Sequence, residues 1–261
     1  MTEKLIAEKK GPVGWITFNQ PEKRNAVSVD MWEAIPKVLQ RFAEDNEVRV
    51  IALKGAGDKA FVSGADISQF EKQRSGPEAV QYYEEIAEGA QLMLHNFPKP
   101  TVAVLRGYTL GAGVNIALCC DLRIAADDSK IGIPAARMGL GYRASATKNL
   151  VDIIGPANAR EMLITARQIP AAEALAMGLV NRVVPVAELD QSADELLATI
   201  GANAPITMAT AKFIIQEVLK SPAGFDAAAC KAAVKHCFES ADYKEGRSAF
   251  MEKRKPQFQG R

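Results

Sequence analysis

The sequence is poor in the side chains from which disulfide frameworks and metal sites are built. Among its 261 residues are four cysteines and two histidines. The cysteines form no CxxC pair and lie in apolar or helical surroundings, at positions 119, 120, 230 and 237. We therefore expect free thiols in the protein interior and no metal ligands. His95 ends a predicted helix, where an imidazole more often contacts the last carbonyl groups than acts as a base.

The chain also lacks an excess of either charge. Lysine and arginine together number 32 and aspartate and glutamate 31, which gives a formal net charge of +1. No overall field attracts nucleic acid or an anionic membrane, and we expect neither as a partner. No apolar run approaches a membrane-spanning length, and the first residues, MTEKLIAEKK, lack the apolar centre of a secretory signal. These features predict a cytoplasmic globular protein.

The most informative stretch runs from Thr101 to Pro134. An apolar strand, Thr101 to Leu105, is followed by a predicted turn at Arg106 to Tyr108 and then by Gly111-Ala112-Gly113, which open a helix of small residues. The first N–H groups of a helix have no partner within it, and they attract negative charge. We therefore expect this junction to face a ligand atom that carries or gains negative charge.

Three explanations of the glycines at this junction can be compared. The first is a nucleotide phosphate, but the dinucleotide-binding motif requires a third glycine where Ile116 stands. The second is a carbonyl oxygen that becomes negative during a reaction, which requires only one or two well-aimed N–H donors. The third is packing alone, because small residues let a helix approach a sheet closely.

A second junction of the same kind lies earlier in the chain. Phe61 to Ile67, with the sequence FVSGADI, again places an apolar strand end, a glycine and a predicted helix start in succession. Two backbone donors, one at Ala65 and one at Ala112, could then hold a single oxyanion from two directions. A backbone donor needs no particular side chain, only a small one that leaves room.

Strand and helix patterns alternate up to about residue 190, and only helical patterns follow. This change predicts an α/β core over residues 1–190 and a helical region over residues 191–261. Helices with apolar faces and no sheet to cover are typical of a subunit contact.

The order of these parts resembles the enoyl-CoA hydratase/isomerase family, the crotonase superfamily, over nearly the whole chain. Phe61 to Ile67 resembles the first oxyanion segment of that family, and Gly107 to Gly113 resembles the second. Further matches are Asn25-Ala26, Pro98-Lys99-Pro100, Cys120-Asp121, ALAMGLV at 174–180 and FMEKRKP at 250–256. The resemblance implies a crotonase-like spiral of repeated ββα units with a C-terminal helical trimerisation region, giving a homotrimer or a dimer of trimers.

The resemblance also implies an acyl-CoA thioester as substrate, with coenzyme A entering only as part of it and no separate cofactor. The two oxyanion donors fall on the N–H groups of Ala65 and Ala112. The residues expected to contact the adenine, pantetheine, phosphates or thioester are Lys23, Arg24, Ala26, Ser63, Ala65, Asp66, Ile67, Gly111 and Ala112. Phe250 and Lys253 match a C-terminal aromatic residue and a lysine that typically reach coenzyme A from a neighbouring subunit.

The sequence departs from the hydratases of the family at two positions. Those enzymes use two glutamates, and the corresponding residues here are Asn115 and Ala135. Adding water to an enoyl thioester requires a base that activates the water and an acid that protonates the α-carbon. Neither an amide nor a methyl group can act as such a base or acid. Loss of one such group commonly costs about 10²–10⁴-fold in rate, so we expect inefficient hydration.

Three functions remain compatible with the sequence. The first is an acyl-CoA lyase that decarboxylates a malonyl-type thioester, because GLGY at 139–142 and the C-terminal tail resemble the methylmalonyl-CoA decarboxylase branch, with Tyr142 orienting the leaving carboxylate. Asp66 stands where that branch has a histidine. The second is a hydratase or isomerase that takes its acid and base from Asp66, Tyr142 or Asn115. The third is a CoA-binding trimeric scaffold without chemistry.

Overall fold

Strands and helices alternate along the first two thirds of the chain, and helices alone form the rest. The computed structural model describes residues 2–66 and 77–261. The strands are β1 (Leu5–Lys10), β2 (Val13–Phe18), β3 (Val50–Gly55), β4 (Ala60–Val62), β5 (Thr101–Leu105), β6 (Tyr108–Leu110), β7 (Leu122–Ala126), β8 (Lys130–Gly132), β9 (Gln168–Pro170) and β10 (Arg182–Val184). The helices are α1 (Val29–Glu44), α2 (Pro77–His95), α3 (Ala112–Cys119), α4 (Ala144–Thr165), α5 (Ala171–Ala176), α6 (Leu189–Gly201), α7 (Pro205–Val218), α8 (Ala227–Glu239) and α9 (Ala241–Met251).

The strands form two sheets. The larger sheet has the order β1-β2-β3-β5-β7-β10, in which only β1 and β2 pair antiparallel. The smaller sheet has the order β4-β6-β8-β9, in which only β8 and β9 pair antiparallel. Each of β3-β4, β5-β6 and β7-β8 contributes one strand to each sheet and is followed by a helix. The predicted spiral of ββα units is therefore confirmed.

The central parallel strands β3, β5 and β7 are buried on both faces, as is usual for parallel strands. Ile51 and Leu53 of β3 face the main core, which also contains the apolar side of α1. Val50 and Ala52 face the other way, onto α6. Helix α6 spans the predicted boundary at residue 190 and covers the sheet, whereas α7, α8 and α9 extend the helical region beyond it. The division at residue 190 stays a prediction.

The structure confirms some of the predicted local elements and corrects others. Strand β5 has the predicted bounds, but Tyr108 belongs to β6 and not to a turn. Helix α4 bends at Gly155, where φ is +72°. All four cysteines are free, as predicted, but only Cys119 and Cys120 lie in the interior, whereas Cys230 and Cys237 on α8 are partly exposed. Within the described residues, no helix combines the length and apolarity needed to cross a membrane.

Gly113 allows α3 to lie directly against β4. A Cβ atom at this position would lie 2.2 Å from the Val62 carbonyl oxygen and 2.9 Å from the Val62 Cβ. Because the first of these atoms belongs to the backbone, the helix and the strand would have to move apart. The packing explanation of the small residues is therefore correct for Gly113.

We expect Gly113→Ala to lower the free energy of unfolding by about 1–3 kcal/mol, the usual cost of overpacking. Urea unfolding followed by circular dichroism measures the change. Gly89→Ala is the matched control, because Gly89 lies in α2 and a Cβ atom added there would meet no other atom within 4 Å. This control should stabilise the protein by about 0.5–1 kcal/mol. A Gly113→Ala variant as stable as the unaltered protein would show that the helix–strand distance is not restricted.

Candidate active site

A cavity of about 220 Å³ lies at the place where the two strand-to-helix junctions meet. Helices α2 and α3 form two of its walls, and the segment from Ile133 to Arg143 forms a third. The lining residues are Ser63, Gly64, Ala65, Tyr83, Glu84, Ala87, Gly111, Ala112, Asn115, Ile133, Pro134, Ala135, Met138, Leu140, Gly141, Tyr142 and Arg143. Most of these side chains are apolar or small, so the few polar groups among them decide what the cavity can bind.

The N–H group of Ala65 is left unpaired by a short parallel bridge. The Val27 N–H donates to the Gly64 oxygen at 2.8 Å, and the Asp66 N–H donates to the Val27 oxygen at 3.0 Å. In such a bridge the N–H of the central residue points away from its partner strand. The Ala65 N–H accordingly has no acceptor among the described residues, although Ala65 lines the cavity.

The N–H group of Ala112 is left unpaired because it opens a helix. Ala112 is the first residue of α3, and Gly111 before it has φ +52° and ψ −110°, a conformation suited to glycine. The Gly111 N–H donates to the Gly132 oxygen at 2.9 Å, which fixes the start of the helix. In the described part of the chain no acceptor faces the Ala112 N–H. The structure thus brings Ala65 and Ala112 together around one cavity, each with a free backbone donor.

A polar loop joins the N-terminal site residues to this cavity. Asn25 is fully buried, and its Nδ2 donates to the Ala56 and Ala60 oxygens at 2.9 and 2.8 Å. Its Oδ1 accepts from the Gln20 N–H at 3.0 Å. The Ser63 N–H donates to the Arg24 oxygen at 3.1 Å. These bonds hold the predicted binding residues Lys23, Arg24 and Ala26 beside residues 63–66.

Asp66 does not line the cavity. Its carboxylate is buried and forms an ion pair with the Lys23 ammonium group, with Nζ 2.8 Å from Oδ2. The ion pair therefore joins the segment that contains Lys23 to the segment that contains Asp66, and both are predicted binding segments. The helix that it was predicted to begin, and the predicted binding residue Ile67, lie outside the described residues.

Arg24 lines a second cavity, of about 270 Å³. Its guanidinium lies 5.1 Å from the centre of the Tyr108 ring. Lys59 and Lys130 also line this cavity, together with Asp58 and Asp128. Three cations beside an aromatic ring are groups suited to a phosphate-bearing ligand.

Asn115 and Tyr142 meet inside the first cavity. The Tyr142 hydroxyl donates to the Asn115 Oδ1. Burial raises the pKa of the Tyr142 phenol well above its usual value, while the bond to Asn115 acts in the opposite direction. Tyr142 is therefore a neutral hydrogen-bond donor at physiological pH and not a base. Ala135 also lines the cavity, so positions 115 and 135, where the family resemblance implies the two hydratase glutamates, both lie at this cavity.

Glu84 is a lining residue that the sequence did not indicate. It lies on α2, and its carboxylate Oε2 is 3.3 Å from the Arg143 Nε. The Arg143 Nη1 also donates to the Glu84 backbone oxygen at 3.2 Å. In the sequence Glu84 looks like a residue on the solvated side of an amphipathic helix, and only the pairing of α2 with the start of α4 brings it to the cavity.

The remaining candidates lie elsewhere. His95 stands at the end of α2, as predicted, and outside both cavities; burial lowers the pKa of its imidazole. Phe250 and Lys253 are exposed near the end of α9. Phe250 borders a groove of about 890 Å³ between α7, α8 and α9 that is lined mainly by apolar residues. Within one chain, these two residues are not brought to the cavity that contains Ala65 and Ala112.

Comparisons with known proteins agree with this architecture. The family model described as enoyl-CoA hydratase/isomerase matches residues 8–261. A short-chain-enoyl-CoA hydratase of Clostridium acetobutylicum is 34% identical over 96% of this chain and 95% of its own. A carnitinyl-CoA dehydratase of Escherichia coli O157:H7 is 32% identical over 100% of both chains. The crystal structure of an enoyl-CoA hydratase/carnithine racemase from Magnetospirillum magneticum superposes with a TM-score of 0.94 at 30% identity, covering 100% of this chain and 97% of that one.

Proposed function

Because the chain belongs to the enoyl-CoA hydratase/isomerase family and therefore acts on acyl-CoA, we propose that it holds an acyl-CoA thioester oxygen between the N–H groups of Ala65 and Ala112. The observation that carries this proposal is that both N–H groups lack an acceptor among the described residues while both residues line one cavity. The donors stabilise the negative charge that develops on the oxygen as an enolate forms. One donor of this kind is commonly worth about 10²–10³ in rate.

Conventional hydration is inefficient in this proposal. Asn115 and Ala135 supply neither a base for water nor an acid for the α-carbon. Tyr142 stays protonated and is already engaged with Asn115. Glu84, the one carboxylate among the described lining residues, is paired with Arg143, which weakens it as a base.

Decarboxylation of a malonyl-type thioester is the second candidate. Loss of CO2 leaves its electron pair on the α-carbon and gives the enolate directly, so no base has to remove a proton. The neutral phenol of Tyr142 and the guanidinium of Arg143 line the same cavity and favour this candidate. A third candidate, a CoA-binding scaffold without chemistry, would use the two free donors only to bind the thioester oxygen.

The purified protein should hydrate crotonyl-CoA at far less than hundreds of turnovers per second, as followed by the loss of enoyl absorbance. Release of CO2 from malonyl-, methylmalonyl- or ethylmalonyl-CoA would assign the second candidate. Saturable binding of these thioesters without turnover would favour the scaffold. Rapid crotonyl-CoA hydration would contradict the proposal that conventional hydration is lost.

Coenzyme A is proposed to lie along the polar loop, with Lys23 and Arg24 near its pantetheine and phosphates. The second cavity, with Arg24, Lys59 and Lys130, supports this placement.

We also propose that the chain forms a trimer or a dimer of trimers through its C-terminal helices. The exposed apolar side chains of Ile215, Val218, Phe238 and Phe250 support such a contact, and it would allow Phe250 and Lys253 to approach the site of a neighbouring subunit.

A further inference from the structure

We propose that Arg143 binds a second carboxylate on the acyl group, so that the protein prefers acyl-CoA thioesters of dicarboxylic acids to those of simple fatty acids. This inference rests on the proposed function, because it assigns the acyl group to the cavity beside Ala65 and Ala112. It concerns the selection of the substrate and holds for hydration, isomerisation or decarboxylation alike.

The composition of the cavity is unusual for a site that takes only hydrocarbon. Its described lining is mainly apolar or small, and Arg143 is the single cation in it. The Arg143 side chain keeps 26% of its surface accessible. A hydrocarbon chain placed against a guanidinium would remove water from it without replacing the hydrogen bonds, which is unfavourable.

The hydrogen bonds of Arg143 leave part of its guanidinium available. Nε lies 3.3 Å from the Glu84 Oε2, and Nη1 donates to the Glu84 backbone oxygen at 3.2 Å. Nη2 has no hydrogen bond to any residue within 2–66 or 77–261. Since a guanidinium carries five N–H donors in a rigid planar fork, Arg143 retains donors for a carboxylate. The ion pair and the hydrogen bond to Glu84 orient the guanidinium and leave its Nη2 donors available for a ligand.

A purely structural role is the alternative explanation. The ion pair joins α2 to the residue before α4 and would then only hold the cavity wall. Loss of Arg143 would in that case alter the binding of every thioester to the same extent. Loss of a carboxylate site would instead weaken only the ligands that carry a second carboxylate.

The test compares acidic thioesters with methyl-ended thioesters of equal chain length. The pairs are succinyl- and butyryl-CoA, glutaryl- and pentanoyl-CoA, and sulfoacetyl- and propionyl-CoA. In the last pair a sulfonate replaces the malonyl carboxylate and cannot leave as CO2. For at least one of the three pairs, isothermal titration calorimetry should give a dissociation constant at least tenfold lower for the acidic thioester than for the methyl-ended thioester of the same length. Arg143→Met should remove that difference and leave the methyl-ended ligands nearly unchanged.

Two further variants separate charge from structure. Glu84→Gln should keep the preference for the acid or increase it, because Arg143 then no longer pairs with the Glu84 carboxylate. Arg167→Met is the matched control, since Arg167 is also paired with glutamates, Glu161 and Glu173, but does not line the cavity. This control should leave all six dissociation constants unchanged.

The possible results distinguish a failure of the carboxylate site from a failure of the proposed function. Binding of the methyl-ended thioesters without preference for any acid would overturn the inference alone, and so would an equal effect of Arg143→Met on both members of a pair. Binding of none of the six thioesters would contradict the proposed function and, with it, the inference.

Discussion

Ala112→Pro is expected to lower kcat/KM about 10²–10³-fold while the protein stays folded. Proline has no N–H, so the substitution removes one of the two proposed oxyanion donors. Ala112 is the first residue of α3, and this is the helix position at which proline is most easily accepted, because the N–H there has no intrahelical partner. The loss should appear with whichever CoA thioester the unaltered protein turns over.

Ala112→Gly is the control for this substitution. It removes the methyl group and keeps the N–H, so kcat/KM should stay close to that of the unaltered protein. Circular dichroism and urea unfolding establish that both variants fold. A folded Ala112→Pro variant with undiminished kcat/KM would show that the Ala112 N–H does not stabilise the reaction.

The double substitution Asn115→Glu with Ala135→Glu is expected to raise the rate of crotonyl-CoA hydration by about 10²–10⁴-fold. It supplies a base and an acid at two positions that both line the cavity. Tyr142, which donates to Asn115, would donate to a carboxylate at the same position and help to keep it ionised. The assay is the loss of enoyl absorbance at saturating crotonyl-CoA.

Asn115→Gln with Ala135→Gln has side chains of the same size without the carboxylates, and we expect no gain in hydration from it. If both double variants bind crotonyl-CoA and neither hydrates it faster, the two positions do not face the reacting carbons. Equal gains in both variants would assign the effect to the shape of the cavity and not to acid and base groups.

The fold was predictable where elements are long and strongly patterned. Strand β5 was located at its correct bounds because it is a continuous apolar run between polar segments. Strands β6, β8 and β9 have three residues each, which is too few for a periodic pattern. Their pairing within the smaller sheet depends on contacts between distant parts of the chain.

The backbone part of the candidate site was predictable for a different reason. Gly64 and Gly111 both have positive φ and mark junctions whose next residue presents a free N–H. Glu84 was not predictable, because a glutamate on an amphipathic helix normally faces solvent. Its place in the cavity depends on Arg143, 59 residues away in the sequence. The partner of Asp66 was likewise not evident from the sequence.

A crystal structure of the protein with bound butyryl-CoA tests the central claim most directly. The thioester oxygen is expected to lie about 2.7–3.2 Å from both the Ala65 and the Ala112 backbone nitrogens. A thioester oxygen that faces solvent, or that contacts neither nitrogen, would contradict the account.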